Sequence, residues 1–505
     1  MQYIVCAQEM KRIDTYTSEY FKLPPLVLME RAALATVAEI KKRYHKTGKV
    51  LIAAGCGNNG GDGLAIGRIL WEQGYDVTFW MLAGNLSEQT KLQKEILEQY
   101  GLEIHDIFPP GEYDIVIDAL FGIGLSRDVE GSCLEMIETI NHLGKTAYIC
   151  AVDIPSGLSS DSGKPMKTAV KANLTVTFAY KKLGQVLYPG AEYCGENVVC
   201  SIGITNRSFT EQEPVFFTYE ETVRELLPVR DPAGNKGTFG KVLVVAGSKG
   251  MSGACLFCAK SVLRTGAGMV KILTQENHCS ILQKQLPEAM VLSYNQEPQI
   301  ETLAEAEAFA DVIVIGPGIG TKQSGRQMLD YMINQSDKPL IIDADGLNLL
   351  ASEPDLAASL SGQKKRVVIL TPHPGELSRL AKCSVEAIKE NQMQTARTLA
   401  DKLSCIVVAK DARTMVCEAN RDTIFINTKG NSGMATAGAG DVLAGIIAGL
   451  VAQKMEGFTS ATVGVYLHAC AGDAAALRLG EYAVLASDII DEISGQMTRK
   501  EAEKC

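Results

Sequence analysis

The chain is poor in several residue types that mark other protein classes. Its 505 residues include only 2 tryptophans and 6 histidines, and 59 Asp plus Glu residues outnumber 49 Lys plus Arg residues. The resulting charge of −10 argues against a general nucleic-acid binder, which usually has a basic surplus. No apolar run reaches about 18 residues, so we expect no transmembrane helix. The first residues lack the basic and apolar regions of a signal peptide, so none is expected.

The spacing of the cysteines does not indicate a disulfide framework. The 14 cysteines are scattered, mostly within apolar segments, which is typical of reduced, buried thiols in a cytoplasmic protein. The one CxxC, Cys255 to Cys258, lies in an apolar helical run without a second pair nearby, so core packing is favoured over zinc or redox chemistry. Hydrophobic residues make up 46% of the chain, and 47 glycines supply many tight turns, a balance common in α/β enzymes.

The order of segments predicts the fold class. Short β-branched segments alternate with longer helical ones, which indicates parallel sheets covered by helices: an α/β protein with two three-layer α/β/α domains. The boundary between the two domains is expected near residues 205–225, where the sequence is polar and lacks helical periodicity. The predicted strands are 50–54, 77–81, 115–120, 148–152, 174–178, 198–202, 241–246, 269–273, 312–315, 340–343, 367–370, 406–409, 414–417 and 423–426. Helices are predicted at 7–21 and 27–44, and others from Asp441, Ser460 and Ala486.

A glycine-rich loop follows the first predicted strand of the first half. It reads CGNNGGDG, residues 56–63, and leads into a helix. Backbone N–H groups at such a loop can approach an anion, and the helix N-terminus favours negative charge. Asn58 and Asn59 offer amide groups, and Asp62 can bind a ribose hydroxyl. The structural alternative is a tight turn capped by Asp62, which would not need two asparagines and four glycines.

Polar side chains also follow the next strands of the first half. Asp118 ends one strand, and GIGLSRD, residues 122–128, can offer backbone N–H groups and the Arg127 guanidinium to phosphates. Asp153 ends another strand, and Ser156 lies in the loop after it. Asn59, Asp118 and Ser156 together present only oxygen ligands, which suit a hard cation and not zinc. A hydrogen-bonded loop network without metal is an equally good interpretation from spacing alone.

Five strand ends of the second half carry glycine or polar loops. Because the carboxyl ends of parallel strands meet at one edge of a sheet, these loops predict the rim of a large cleft. The five segments that follow these strands are the helix start near Gly253 and Ala254, GPGIG at 316–320, DADGLN at 343–348, TPHPGE at 371–376 and KDART at 410–414.

The sharpest motif is NSGMATAGAGD, residues 431–441, which leads into an apolar helix. Gly438 and Gly440 leave bare backbone at the helix N-terminus, where an anion can bind. Asp441 in the first turn is either a helix-capping residue or, near a phosphate, a general base toward a hydroxyl. His373 lies in a proline-bracketed loop, where a ligand contact and a structural turn are both open.

These motifs resemble a known pair of domains. NNGGDG, FGIGLSRDVEG and AVDIPSGL are similar to the NAD(P)HX epimerase domain of the YjeF N-terminal type, which implies a Rossmann-like domain over residues 1–213. AGSKGMSGA, GPGIG, DADGLN, HPGE and NSGMATAGAGDVLAG are similar to the ADP-dependent NAD(P)HX dehydratases, which implies a ribokinase-like domain over residues 222–505. One departure is KDART, where the family more often has glycine after the lysine.

The resemblance implies a specific chemistry. Water adds across the nicotinamide C5–C6 double bond of NADH and NADPH and gives R and S hydrates. The first domain is then expected to interconvert the epimers. The second is expected to dehydrate the S hydrate at the expense of ADP, which gives AMP and phosphate. The implied cofactors are K⁺ in the epimerase domain and Mg²⁺ with ADP in the dehydratase domain.

The resemblance also assigns residues. Asp441 and Asp153 are the expected catalytic residues. The expected hydrate-binding residues of the first domain are Asn58, Asn59, Gly60, Gly61, Asp62, Gly122, Ile123, Gly124, Leu125, Ser126, Arg127, Asp128 and Asp153. Those of the second domain are Ala254, Gly318, His373 and Asp441. The expected nucleotide-binding residues are Lys410, Asp411, Ala412, Arg413, Thr414 and Gly440. The expected potassium ligands are Asn59, Asp118 and Ser156.

The sequence leaves two alternative functions to consider. The second half alone could belong to a ribokinase-like small-molecule kinase, but such a kinase has no use for a fused NNGGDG domain. Domains similar to the first half also serve as scaffolds in messenger-RNA decapping factors, but a scaffold would be expected to lose Asp118 and Asp153 and to be basic. We therefore expect a cytoplasmic homo-oligomer that binds the hydrates and ADP, and neither nucleic acid nor a membrane.

Overall fold

The computed structural model describes residues 1–44, 47–210, 212–361 and 366–498. The chain forms two compact units, an N-terminal unit of Gln2–Phe216 and a C-terminal unit that begins at Phe217. Within the described ranges, no helix is both long and apolar enough to cross a bilayer. Each unit has a mainly parallel sheet covered by helices, so the predicted α/β fold class is confirmed.

The N-terminal unit contains nine strands and seven α-helices among its described residues. Its strands are β1 (Gln2–Val5), β2 (Lys49–Ala54), β3 (Asp76–Met81), β4 (Ile104–His105), β5 (Ile115–Ala119), β6 (Tyr148–Val152), β7 (Leu174–Phe178), β8 (Lys181–Lys182) and β9 (Glu196–Cys200). Its helices are α1 (Ala7–Glu19), α2 (Pro25–Arg43), α3 (Asn58–Glu72), α4 (Glu88–Gln99), α5 (Ser132–Leu143), α6 (Leu183–Val186) and α7 (Gly190–Tyr193), with a 3₁₀ turn at Asn206–Phe209.

Seven of these strands form one sheet in the order β4-β3-β2-β5-β6-β7-β9, with every pair parallel. Alternate residues of β2 pack into two different apolar clusters: Val50 and Ile52 into one, Leu51 and Ala53 into the other. Since successive side chains of a strand point to opposite faces, the sheet is buried on both sides.

The remaining strands are β10 (Phe216–Thr218), β11 (Lys241–Val245), β12 (Met269–Gln275), β13 (Met290–Tyr294), β14 (Val312–Ile315), β15 (Leu340–Ile342), β16 (Val368–Leu370), β17 (Ile406–Ala409), β18 (Met415–Glu418) and β19 (Ile424–Ile426). They lie in one sheet in the order β13-β12-β11-β14-β15-β16-β17-β18-β19-β10. The pairs β17–β18 and β18–β19 are antiparallel, which departs from the predicted all-parallel arrangement because short loops join these strands directly.

Helices cover this second sheet. They are α8 (Ser252–Arg264), α9 (Cys279–Gln285), α10 (Ile300–Phe309), α11 (Gln323–Asn334), α12 (Asp345–Ser352), α13 (Pro354–Ser361), α14 (Pro374–Ala381), α15 (Val385–Leu403), α16 (Ala439–Ala452), α17 (Gly457–Leu479) and α18 (Ala486–Gln496). Short 3₁₀ helices occur at Glu221–Leu226, Glu276–His278, Ser432–Met434 and Glu481–Ala483. Cys255 and Cys258 are both fully buried on α8, which agrees with core packing for the CxxC.

Candidate functional site

A cavity of about 1500 Å³ opens in the N-terminal unit at the carboxyl ends of β2, β5 and β6. The loops after these strands meet there because the strands are parallel neighbours. Helices α1 and α2 supply much of the remaining wall. The predicted residues that line the cavity are Asn58, Asn59, Asp62, Gly122, Ile123, Gly124, Leu125, Ser126, Arg127 and Asp153.

Three predicted binding residues lie outside the cavity lining. Asp128 is exposed, and Gly60 and Gly61 are buried in the first turn of α3. A Cβ atom on Gly60 would lie 1.9 Å from the carbonyl oxygen of Gly55, so glycine lets the helix begin directly against the end of β2. The structure therefore gives Gly60 a packing role in shaping the loop.

The predicted cation ligands lie close together at the strand ends. Asp118 and Ser156 are fully buried, and the Asp118 carboxylate accepts a hydrogen bond from the Ser156 backbone N–H at 2.8 Å. The Ser156 hydroxyl accepts the Phe121 backbone N–H at 2.9 Å. Burial raises the pKa of Asp118 to about 6. Asn59 packs against Gly122, and its side-chain Nδ2 is buried without a hydrogen-bond partner.

Asp153 is held in a strained and tightly bonded position. Its backbone is left-handed, with φ 66°, and its Oδ1 accepts hydrogen bonds from the Lys182 ammonium, the Thr177 hydroxyl and the Phe178 backbone N–H. Lys182 is 1% exposed. A buried ammonium of this kind is stable only when it is paired, so the two residues act as one unit. Lys182, which lies 29 positions after Asp153, is not among the site residues predicted from the sequence.

Two further carboxyl groups line the same cavity. Asp62 comes from the start of α3, and Asp14 comes from α1. Burial raises the pKa of Asp14 to about 6, and burial with the nearby Asp153 and Asp14 raises the pKa of Asp62 well above its usual value. Sequence reasoning missed Asp14 because it is in a helix interior and follows no strand. The one available signal was its position beside the buried face formed by Met10 and Ile13.

The N-terminus of α16 is the centre of the second candidate site. Gly438 is the N-cap residue, with φ 93°, and no side chain caps the helix by a hydrogen bond. Asp441 is in the first turn, and its carboxyl group makes no hydrogen bond or ion pair with any residue that the structure describes. Burial, followed by the nearby Asp343, raises the pKa of Asp441 to about 7. The geometry places an uncapped helix N-terminus beside a carboxyl group that is half ionised near neutral pH.

Lys410 faces this helix terminus. Its ammonium donates to Asp343 Oδ1 at 2.8 Å and lies 4.0 Å from Glu376 Oε2. A Cβ atom on Gly440 would lie 3.2 Å from the same Nζ atom, so the lysine adjoins the glycine backbone of α16. Burial lowers the pKa of Lys410, but Asp343 and Glu376 outweigh it and the net shift is upward, so the cation persists at neutral pH. Asp343 and Glu376 belong to predicted motifs, but neither was singled out.

The remainder of the KDART segment forms the exposed connection between β17 and β18. The Asp411 carboxylate accepts the Ala412 backbone N–H at 2.8 Å, and the Thr414 hydroxyl donates to the Asp411 carbonyl at 3.1 Å. The extra negative charge at Asp411 is thus engaged within its own loop. Arg413 and Thr414 are partly buried, and Ala412 is exposed.

The remaining predicted residues of the second half, His373, Gly318 and Ala254, have different structural surroundings. His373 is the N-cap of α14: its Nδ1 accepts the Gly375 backbone N–H at 3.0 Å, and its side chain is 51% exposed. This geometry agrees with the structural-turn interpretation of His373. Gly318, with φ 61°, lies against Ala254, since an added Cβ would be 3.4 Å from the Ala254 Cβ. These two residues form a close contact between the loop after β14 and the start of α8.

Comparisons with known proteins cover both units. Residues 242–495 match the family described as NAD(P)H-hydrate dehydratase, and residues 25–184 match the YjeF-related protein N-terminus. The bifunctional NAD(P)H-hydrate repair enzyme Nnr of Moorella thermoacetica is 34% identical over 97% of this chain and 95% of its own. The Coxiella burnetii enzyme of the same name is 36% identical, over 96% and 97%. An ADP/ATP-dependent NAD(P)H-hydrate dehydratase structure from Bacillus subtilis, co-crystallised with ATP/Mg²⁺, is 29% identical over 55% of this chain and 96% of its own, with a TM-score of 0.48.

Proposed function

The chain belongs to the family of bifunctional NAD(P)H-hydrate repair enzymes, and from this we propose how its two units divide the work. It is an NAD(P)H-hydrate epimerase and an NAD(P)H-hydrate dehydratase in one polypeptide. The kinase and scaffold alternatives fall away, because relatives of that name match this chain across both units. We assign the epimerase to residues 1–213 and the ADP-dependent dehydratase to residues 222–505.

In the N-terminal unit, we propose that the hydrate occupies the 1500 Å³ cavity. The loops of Asn58–Asp62 and Gly122–Arg127 would hold its phosphates and ribose through backbone N–H groups and the Arg127 guanidinium. Asp153 would contact the hydrated nicotinamide, fixed in place by Lys182. The strained backbone of Asp153 supports a functional role, since such strain persists where the surroundings over-determine it.

Asn59, Asp118 and Ser156 would hold a potassium ion beside this cavity. The donor set fits, because it is all oxygen and includes one buried carboxylate with no salt bridge among the described residues. The bound ion would neutralise Asp118 and fix the loops around it. No cationic side chain among the described residues pairs with the buried Asp118, so a bound cation would offset the cost of burying its negative charge.

In the C-terminal unit, the observation that carries the proposal is the free Asp441 carboxyl group beside Gly440 and Lys410. The C6 hydroxyl of the S hydrate would attack the β-phosphorus of ADP, lose its proton to Asp441 and release AMP. Gly440 N–H and the Lys410 ammonium would stabilise the phosphate charge as it shifts. The phosphorylated hydroxyl is a good leaving group, so phosphate departs and a C5 proton is lost to restore the C5–C6 double bond.

We propose the remaining features from the same premise. Mg²⁺ would arrive with the phosphates of ADP, as is usual for this ion. Ala254, Gly318 and His373 would contact the hydrate, and Asp411–Thr414 would lie along the nucleotide. The exposed apolar side chains of Leu477, Tyr482 and Leu485, which are close in sequence, support a homo-oligomer, because a contact between copies would remove them from solvent. Buried free thiols support a cytoplasmic location.

The Asp441→Asn variant tests the dehydratase assignment. A positioned general base contributes about 10² to 10⁴ in rate, so we expect ADP-dependent dehydration to fall by that factor. ADP binding, measured by calorimetry, and epimerisation should be unchanged. Asp337→Asn is the matched control, because this side chain is 91% exposed and should leave all three properties unaffected. Near-normal turnover of Asp441→Asn would remove Asp441 from the chemistry.

A further inference from the structure

The carboxyl groups that line the cavity of the N-terminal unit are not equivalent; they belong to Asp14, Glu19, Asp62, Glu130 and Asp153. Asp153 is bonded to Lys182, Thr177 and Phe178 through one oxygen. Asp14 and Asp62 also line the cavity, yet neither carboxyl group makes a hydrogen bond or an ion pair with any residue in the described part of the chain. Glu19 and Glu130 are exposed, so Asp14 and Asp62 are the two partly buried carboxyl groups of the lining that remain available for proton transfer.

We propose that Asp14 is the general base that removes the proton from the C6 hydroxyl of the hydrate during epimerisation, with Asp62 as the partner acid. The proposal rests on the epimerase function given above. It adds a residue on α1, an element that precedes the sheet and lies outside all the strand-end loops. Helix α1 thereby becomes part of the reaction site and not only its wall.

The chemistry follows from the structure of the hydrate, in which C6 carries both a hydroxyl and the ring nitrogen N1. Asp14 takes the hydroxyl proton, the C6–O bond becomes a carbonyl, and the C6–N1 bond breaks with its electron pair passing to N1. Asp62 delivers a proton to N1. After rotation about C5–C6, N1 attacks the other face of the carbonyl, Asp62 recovers its proton, and Asp14 returns its proton to the oxygen. The net change is inversion at C6 without an oxidant or reductant.

The electrostatics of the cavity suit these roles. Two neighbouring carboxyl groups do not ionise equally easily, since each negative charge opposes the other. The charged groups that face Asp14 are Lys182, which favours its ionised form, and Asp153 and Asp62, which oppose it. Burial raises the pKa of Asp14 to about 6, and burial together with Asp153 and Asp14 raises the pKa of Asp62 well above its usual value. Asp14 is thus mostly ionised at neutral pH and can accept a proton, and the upward shift in the pKa of Asp62 favours its protonated form, which can donate one.

The test compares Asp14→Asn, Asp14→Glu and the control Asp106→Asn in the full chain. Asp106 is exposed and does not line the cavity. Purified R hydrate is incubated without ADP, and the S hydrate is separated by chromatography. For Asp14→Asn we expect kcat to fall by about 10² to 10⁴ while KM stays near the wild-type value. Asp14→Glu should recover part of the rate, and the control should match the wild type.

Dehydration of S hydrate with ADP and a thermal melt show whether each variant is folded. A folded Asp14→Asn variant that epimerises at the wild-type rate would overturn the proposal. If Asp14→Asn does not fold, Asp14→Glu decides: a shifted acidic limb in its kcat against pH profile supports the role, and an unshifted limb at an unchanged rate contradicts it. A wild-type chain that fails to epimerise would instead refute the proposed function itself.

Discussion

The surroundings of Asp441 disfavour its ionised carboxylate, and the proposed function uses that same carboxylate as a general base. Its carboxyl group is desolvated and adjoins Asp343, so its ionised form is disfavoured in the folded chain. A capping role would have removed this disadvantage through hydrogen bonds to the helix N–H groups, but the structure shows none. Residues held in unfavourable surroundings at a site often trade stability for function. Stability against pH should therefore reveal the role of Asp441.

We predict that Asp441→Asn is more stable than the wild type at pH 8. The wild-type carboxyl has a pKa of about 7 when folded and near 4 when unfolded, so the folded state holds the extra proton between these values. Wild-type stability therefore falls as pH rises from about 4 to 7, and the asparagine variant escapes this loss. Thermal melts at pH 5, 6, 7 and 8 should show an advantage that grows with pH. A constant difference would show that Asp441 is not strained by burial.

Single residues were predictable where they followed a strand. Asp153 and Asp441 could be identified because a carboxylate next to a glycine loop at a strand end or helix start has few structural uses. Lys182 and Asp14 could not, because each reaches its site through tertiary packing. Lys182 comes from a two-residue strand, and Asp14 comes from the middle of a helix. No local sequence pattern indicates which cavity such a side chain will face.

At the scale of elements, the N-terminus of α16 depends on the small size of Gly440. Its N–H is open to an anion, and Lys410 approaches it closely. Any side chain at this position would occupy the space between the helix and the lysine. The glycine therefore serves the proposed nucleotide site, although alanine would be the better helix former.

We expect Gly440→Ala to weaken ADP binding by about 10- to 100-fold, which corresponds to losing a hydrogen bond to a charged group. The fold should be kept, because the atom in the way is the flexible end of Lys410. Calorimetric titration with ADP and a thermal melt measure both effects. Gly495→Ala on α18 is the matched control, since its Cβ would meet nothing within 4 Å. Unchanged ADP affinity in Gly440→Ala would argue against a nucleotide phosphate at this helix terminus.

Among the elements, strands 148–152, 174–178, 312–315 and 406–409 were predicted with the bounds observed. They are fully buried or nearly so, and apolar runs of this kind give a strong signal. The strands missed were Gln2–Val5, Ile104–His105, Lys181–Lys182, Phe216–Thr218 and Met290–Tyr294. They are short or less apolar, and their pairing depends on neighbours distant in sequence. The antiparallel turn from β17 to β18 was missed because strand direction is set by the length of the connection.

At the scale of the whole molecule, the two units each contain a sheet, a core and a candidate site. We predict that fragments 1–213 and 222–505 each fold and retain one activity. Differential scanning calorimetry of each fragment should show a cooperative transition, since a domain with its own core can fold alone. If neither fragment shows one, the proposed boundary is wrong or the two halves share a core.

The most direct test of the central assignment uses the full chain and a mixture of R and S hydrates of NADPH. With ADP and Mg²⁺ present, the absorbance of the reduced nicotinamide is followed to its end point under conditions where uncatalysed epimerisation is slow. Two activities in one chain predict recovery of the whole hydrate pool, with AMP and phosphate formed in equal amounts. Recovery that stops at the S fraction would contradict the epimerase, and no ADP-dependent recovery would contradict the dehydratase.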